Sequence, residues 1–212
     1  DGTGEGLRPQ FMDMYKAQSE EFVDRGRIFP SDIDSPGSAQ TLDFAINHSK
    51  NKIVNPTANE LSDWVRRLGI KHVNIAGSRP NKLKNIKEYK NVDDIKNTLM
   101  KGLSEVDMIR SGGQVGVDMI GLEVGKALNK KTGGIAPPKF YQKGKGNRNI
   151  PNLKLKTIYG LEEGKSITRP KRDGGTYQDV YSYRTEENVK ASDGTVIIAP
   201  LKRKIAKTPE WV

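Results

Sequence analysis

The chain contains no cysteine, which excludes disulfides, thiolate zinc sites and a thiol nucleophile. Its only imidazoles are His48 and His72, too few for a multi-histidine metal site, so no metal centre is expected. No apolar run approaches the roughly 20 residues that span a bilayer. The start lacks the apolar stretch of a signal peptide. A soluble, cytoplasmic protein with no membrane partner is the expectation, and an opening at Asp1 without methionine fits a processed or excised segment.

What the chain does have is positive charge. Its 36 Lys and Arg against 26 Asp and Glu give a formal +10, which favours phosphorylated partners, either small nucleotides or nucleic acid. A length of 212 residues suits one domain with an added arm. Residues 1–30 read as that arm: a glycine-rich "DGTGEGLR", then helical spacing of Phe11, Met14, Tyr15 and Phe22 between Pro9 and Arg25. Residues 31–212 read as a single domain.

Within it, Leu42, Ala45 and Ile46 mark a short helix and "NKIVN" a short strand. Thr57 and Glu60 have capping-box spacing. Leu61, Trp64, Val65 and Leu68 follow on one helical face and Gly69 closes it. "IKHVNIAG" reads as a strand, and Val92 to Val106 as a helix with Ile95, Leu99 and Leu103 buried. A very short strand runs into Ser111, and Val117, Ile120, Val124 and Leu128 define the next helix. Gly121 and Gly125, four apart, would let that helix approach a sheet closely. "GGIAPP" is a short strand, "TEENVKASD" a helix end and "GTVIIAP" a buried strand. Residues 141–178 form a basic loop insert with "LKTIYGL" as its one ordered island. Alternating strands and helices predict an α/β fold, a Rossmann-like three-layer sandwich with a mostly parallel central sheet.

In such a sheet, ligands bind beyond the carboxyl ends of the strands. Three segments have suitable chemistry: Gly77, Ser78 and Arg79; Ser111, Gly112, Gly113, Gln114, Gly116 and Asp118; and Gly37, Ser38 and Thr41. Backbone N–H groups at a helix start favour an anion there. Each loop also reads as a plain strand-to-helix turn, because neither the dinucleotide fingerprint nor the P-loop pattern is present. Asp118 equally fits a first-turn carboxylate satisfying backbone donors.

In order, "SGGQVGVD", "TGGIAPP" and "YRTEENVKASDGTVII" resemble the YpsA-type branch of the SLOG superfamily, a lysine-decarboxylase-like Rossmann group that includes molybdenum-cofactor-carrier-like proteins. Arg184, Thr185, Glu186, Asn188, Val189, Ser192, Asp193, Gly194 and Thr195 carry the longest part of the match. In the carrier-like relative the "GSAQT"-type helix and the "NIAGSRP"-type strand follow "SDGT"; here both precede "SGGQ". This resembles a circular permutation opened between the "GTVII" strand and the "SPGSAQT" helix, a change a packed domain tolerates at a surface loop.

The resemblance implies a Rossmann-like fold that binds a phosphate-bearing, nucleotide-derived ligand, with Arg184, Asp193, Gly194 and Thr195 joining the loop residues at the site. Some relatives hydrolyse an N-glycosidic bond with a P-G-G-x-G-T-x-x-E loop. "SPGSAQTLD" lacks its double glycine and glutamate, Asp43 being only near the required position. If turnover occurs, it is hydrolysis of a nucleotide or nucleotide-sugar, with Glu186, Asp118 and Asp193 as catalytic candidates. The alternatives are a molybdenum-cofactor-carrier-like binder, or nucleic-acid binding through the basic 141–173 strip with Lys143, Lys145, Arg148, Lys154, Lys156, Lys171 and Arg172 beside Tyr141 and Tyr159. Relatives often pair, so a homodimer is expected.

Overall fold

Strand β10 (Gly194–Ile198) has every residue buried, the pattern of a strand covered on both faces of a parallel sheet. The computed structural model describes residues 28–144, 146, 148–171 and 174–202; the expected helix between Pro9 and Arg25 lies outside them. Strands β1 (Asn51–Val54) and β2 (His72–Gly77) flank β10. The sheet continues through β3 (Met108–Ser111), β4 (Lys131–Ala136) and β7 (Leu161–Glu163), in the order β1-β10-β2-β3-β4-β7. Every pairing in it is parallel.

The helices are α1 (Pro36–Asn47), α2 (Ala58–Leu68), the single turn α3 (Pro80–Leu83), α4 (Val92–Gly102), α5 (Val117–Ala127), the short α6 (Lys154–Thr157) and α7 (Ser182–Lys190). Side chains alternate across a strand, and the layers follow. On one face, Leu61, Trp64, Ile95, Leu99, Ile120 and Val124 of α2, α4 and α5 pack with Val73, Ile75, Ile109, Val196 and Ile198. On the other, Leu42 of α1 packs with Val54, Ile197 and Ala199, and α7 lies against α1 and β4. The three-layer α/β sandwich is therefore present.

Local chemistry explains the boundaries. At α2 the Glu60 N–H donates to Thr57 Oγ1 at 3.4 Å and the Thr57 N–H to Glu60 Oε2 at 2.7 Å, while Gly69 ends the helix at φ 61°. A Cβ on Gly121 would stand 2.7 Å from that of Ile75, and one on Gly125 2.6 Å from Thr132 Cγ2, so both glycines let α5 lie close on the sheet.

Three sequence expectations change. Helix α4 stops at Gly102, four residues short of Val106. A Cβ on Gly102 would lie 2.5 Å from the Leu61 side chain, and Leu103 and Val106 stay buried in the turn that follows. Leu68 and Ile46, part of the apolar patterns that marked α2 and α1, are 45% and 39% exposed. The 141–178 segment is far more ordered than one island in a loop. It holds two antiparallel ribbons, β5 (Tyr141–Lys143) with β6 (Asn149–Pro151) and β8 (Ile167–Pro170) with β9 (Thr176–Asp179). Between them, α6 and β7 bring Leu155 and Leu161 against Leu122, Ala136 and Phe140, and β7 covers the otherwise open edge of β4.

The way into α1 and the way out of β10 lie side by side. Ile33 bridges Leu201 in antiparallel sense. The Asp34 N–H donates to the Pro200 carbonyl and the Lys202 N–H to that of Asp32, both at 2.8 Å. This is the adjacency that a permutation opened between these two elements requires.

Candidate functional site

The carboxyl ends of β2 and β3 and the starts of α1 and α7 surround one cleft of about 620 Å³. Gly37, Thr41, Gly77, Arg79, Gly112, Gln114, Asp118 and Arg184 from the sequence-based set line it. Three separate segments thus converge, as the strand-end rule requires.

The glycines of "SGGQVGVD" pack against other parts of the protein. A Cβ on Gly112 would collide with Arg184 Nη1 and approach Asp118 Oδ2 at 3.1 Å. Gly116, at φ +103°, meets the Ser78 carbonyl and lies against Arg79 Cα. A Cβ on Gly113 would press on Leu155 and Leu161. These glycines make room for protein atoms. The Gln114 N–H, one of the donors an anion would use, already bonds Asp118 Oδ2 at 3.1 Å.

Asp118 is buried in the first turn of α5, with Arg184 Nη1 3.6 Å from Oδ2. Burial pushes its carboxyl above the ordinary range, while Arg184 and the backbone N–H groups of Gln114 and Gly77 pull the other way. Burial likewise draws the Arg184 guanidinium down, opposed by Asp118 and Tyr181. The guanidinium also lies 5.4 Å from the Tyr181 ring centroid, within cation–π range.

Several buried polar atoms at this end of the sheet have no partner among the described residues: Ser78 Oγ, Ser111 Oγ, Gln114 Oε1 and Arg184 Nε. The Gln114 amide is oriented by its Nε2, which donates to the Tyr141 carbonyl at 2.9 Å. Buried polar groups ordinarily find partners; of these four residues, Gln114 and Arg184 line the cleft.

The three helix starts at the cleft differ. Asp118 sits at the start of α5. At α7, Asp179 Oδ1 accepts from the Tyr181 and Ser182 N–H groups at 3.0 and 2.9 Å, and Oδ2 from Arg169 Nε at 2.8 Å. Burial alone would raise the Asp179 pKa, yet bonds from Ser182, Tyr181 and Arg169 together hold it at about 2. At α1 the Ser35 side chain makes no capping bond, and Ser35, Pro36 and Gly37 face the cleft. The Ser38 hydroxyl donates to Ser35 Oγ at 3.2 Å and that of Thr41 to the Gly37 carbonyl at 2.9 Å. Among the described residues no carboxylate caps the start of α1, and the exposed Arg79 shares the cleft with it.

Other sequence-based candidates lie elsewhere. Asp193 precedes β10, at the amino ends of the strands, and accepts from the Lys71 and His72 N–H groups at 2.9 and 2.7 Å. Gly194 lies against the Trp64 ring, and Thr195 is buried within the sheet, its Oγ1 3.4 Å from Asn74 Nδ2. Glu186 pairs with His48 at 2.9 Å and Lys190 at 3.0 Å, tying α7 to the end of α1, and does not line the cleft. Ser38, Ser78, Ser111, Gly113 and Gly116 support the walls without lining them. Sequence reasoning missed Asn74, Gln40, Tyr177, Asp179 and Tyr181, all of which do line it. An aspartate two and three residues ahead of helical N–H groups, as in "DVYS", was the available signal for Asp179.

Among the described residues no group of three or more His, Asp or Glu is placed to hold a metal, and no helix is long and apolar enough to cross a membrane. Residues 109–208 match the model of the circularly permutated YpsA SLOG family. No curated protein and no solved structure matches the chain.

Proposed function

We propose, on the premise that residues 109–208 belong to the circularly permutated YpsA SLOG family, that this domain binds a phosphate-bearing, nucleotide-derived small molecule in the cleft between α1 and α7. The observation that carries the reading is the convergence of an uncapped helix start, exposed Arg79 and the orphaned polar atoms of Gln114 and Arg184 on one cavity. The phosphate belongs at the start of α1, where the helix dipole and unclaimed N–H groups favour an anion and Arg79 adds a charged donor. The glycine turn is a less suitable place, because Asp118 already sits on it. Asp118 is placed instead to accept from a ribose hydroxyl.

Calorimetric titration with adenosine 5′-monophosphate tests this. One molecule should bind per chain, and Arg79→Ala should weaken binding about tenfold, the scale of one charge-assisted hydrogen bond. If neither adenosine 5′-monophosphate nor ribose 5-phosphate binds, the reading is wrong.

Hydrolysis is the second reading, favoured by one observation: of the three carboxylates considered, Asp118 alone lines the cleft, where a positioned carboxylate can transfer a proton. Release of free base on incubation with the same nucleotide, abolished by Asp118→Asn and retained by Glu186→Gln, supports it. Retention in Asp118→Asn removes it.

The nucleic-acid alternative draws on two residues of the basic strip, Lys154 and Lys156, which line a shallow groove with Tyr141, Leu153, Lys139 and Glu163. Oligonucleotide binding there should weaken steeply with salt and be lost in Lys154→Gln/Lys156→Gln; no binding at about 50 mM salt removes this reading.

A further inference from the structure

Two aromatic side chains line the cleft among the described residues, and their surroundings differ. The ring of Tyr181 already carries the Arg184 guanidinium. Tyr177 is 46% exposed. It stands on β9 two residues before Asp179, and alternation along a strand puts those two on one face; both line the cleft. Gln178, between them, turns outward and donates to Thr168 Oγ1 at 2.8 Å.

The ribbon that carries Tyr177 is anchored at its base. Arg169, the register partner of Tyr177, is bonded to Asp179, and Asp179 holds the first N–H groups of α7. The base of the strand that carries Tyr177 is therefore tied to the start of α7 at the cleft. It supports no core of its own, since β8 and β9 have no buried residue. A large aromatic ring held half in water at the wall of a polar cavity is a surface for another flat ring.

We propose that the β8–β9 ribbon is the ring-recognition wall of the cleft, with Tyr177 stacking on the planar heteroaromatic ring of a ligand whose phosphate lies at the start of α1. This assignment rests on the phosphate-ligand reading above. Stacking reads the presence of a π face and is tolerant of which base supplies it. The ribbon thus separates nucleotides from sugar phosphates, leaving the choice among bases to the hydrogen-bonding groups deeper in the cleft.

The test compares adenosine 5′-monophosphate with ribose 5-phosphate, which has the same sugar phosphate and no ring, by calorimetry on the full chain. The unaltered protein should prefer the nucleotide. Tyr177→Ala should weaken nucleotide binding about 5- to 100-fold, the range of one base–aromatic stack, and leave ribose 5-phosphate unchanged. Tyr177→Phe should keep the preference, and Tyr177→Leu, which retains bulk without a π face, should lose it. Equal affinity of the unaltered protein for the two ligands overturns the role of Tyr177 and leaves the phosphate site standing. So does a Tyr177→Ala or Tyr177→Leu variant that binds the nucleotide undiminished. Binding of neither ligand overturns the phosphate reading and this assignment together.

Discussion

Gly112 and Arg184 share one space: the guanidinium occupies the position that a side chain on residue 112 would take. Gly112→Ala should therefore expel Arg184 from beside Asp118. Breaking a buried ion pair in this way costs about 3–5 kcal/mol, visible as a lower urea midpoint with an unchanged slope. A variant as stable as the original would show that Arg184 moves aside at no cost.

Asp118 should reveal its partner through pH. Burial raises its folded-state pKa above the ordinary 3.8, so the folded protein holds this proton more tightly than the unfolded chain. That contribution is fully present below 3.8 and is lost as pH rises through the folded pKa. Arg184→Gln removes the cation that restrains the shift, so the loss should be larger and extend to higher pH. The stability difference between variant and original should widen from pH 4 to pH 7; a constant difference contradicts the coupling.

Asp179 has the opposite sign. Its pKa is held at about 2, so its contribution is present above the ordinary 3.8 and lost as pH falls towards 2. Asp179→Asn should cost about 1–2 kcal/mol at pH 7, the scale of a helix cap with a charged partner. It should also flatten the acid limb of the stability curve between pH 4 and pH 2. An unaltered acid limb would show that another carboxylate governs it.

Asp193 and Glu186 should separate from Asp118 in function. Asp193→Ala removes two bonds at the amino edge and should cost about 1–3 kcal/mol of stability, with nucleotide affinity unchanged. Glu186→Gln should leave affinity unchanged as well, while Asp118→Asn should reduce it. Loss of binding in Asp193→Ala, measured while the protein is folded, would place the cleft wrongly.

Gly121→Ala should destabilise by about 1–3 kcal/mol through overpacking, because the new methyl would meet Ile75. Thermal unfolding reads this directly, and a neutral result would mean that α5 can lift from the sheet.

The frame of the fold was legible because its signals are local. The Thr57–Glu60 box, the Gly69 stop, the Gly121–Gly125 spacing and the apolar run at 196–198 each state a boundary or a face within a few residues. The glycines of "SGGQVG" could be placed but not interpreted, since a missing side chain is the same whether phosphate or a distant arginine fills the gap. Tyr177 escaped notice because "ITRP" and "TYQD" have no apolar face to mark them as strands. Asp193 is a different case. A residue that precedes a parallel strand lies at its amino end, so chain direction already placed "SDG" away from the strand ends where ligands sit, against the pull of a motif match.

The pairing of Ile33 with Leu201 has a mechanical consequence. Tension applied between the segments entering and leaving the domain would act on this antiparallel pair first. It would part the Asp32–Lys202, Ile33–Leu201 and Asp34–Pro200 contacts in turn, by peeling, while the parallel sheet behind them carried little load. The next backbone to move would be Ser35 and Pro36, at the mouth of the cleft. A pull on this domain would therefore reach the mouth of the cleft only after drawing Ile33 out of the core that it shares with Leu42 and Ile197.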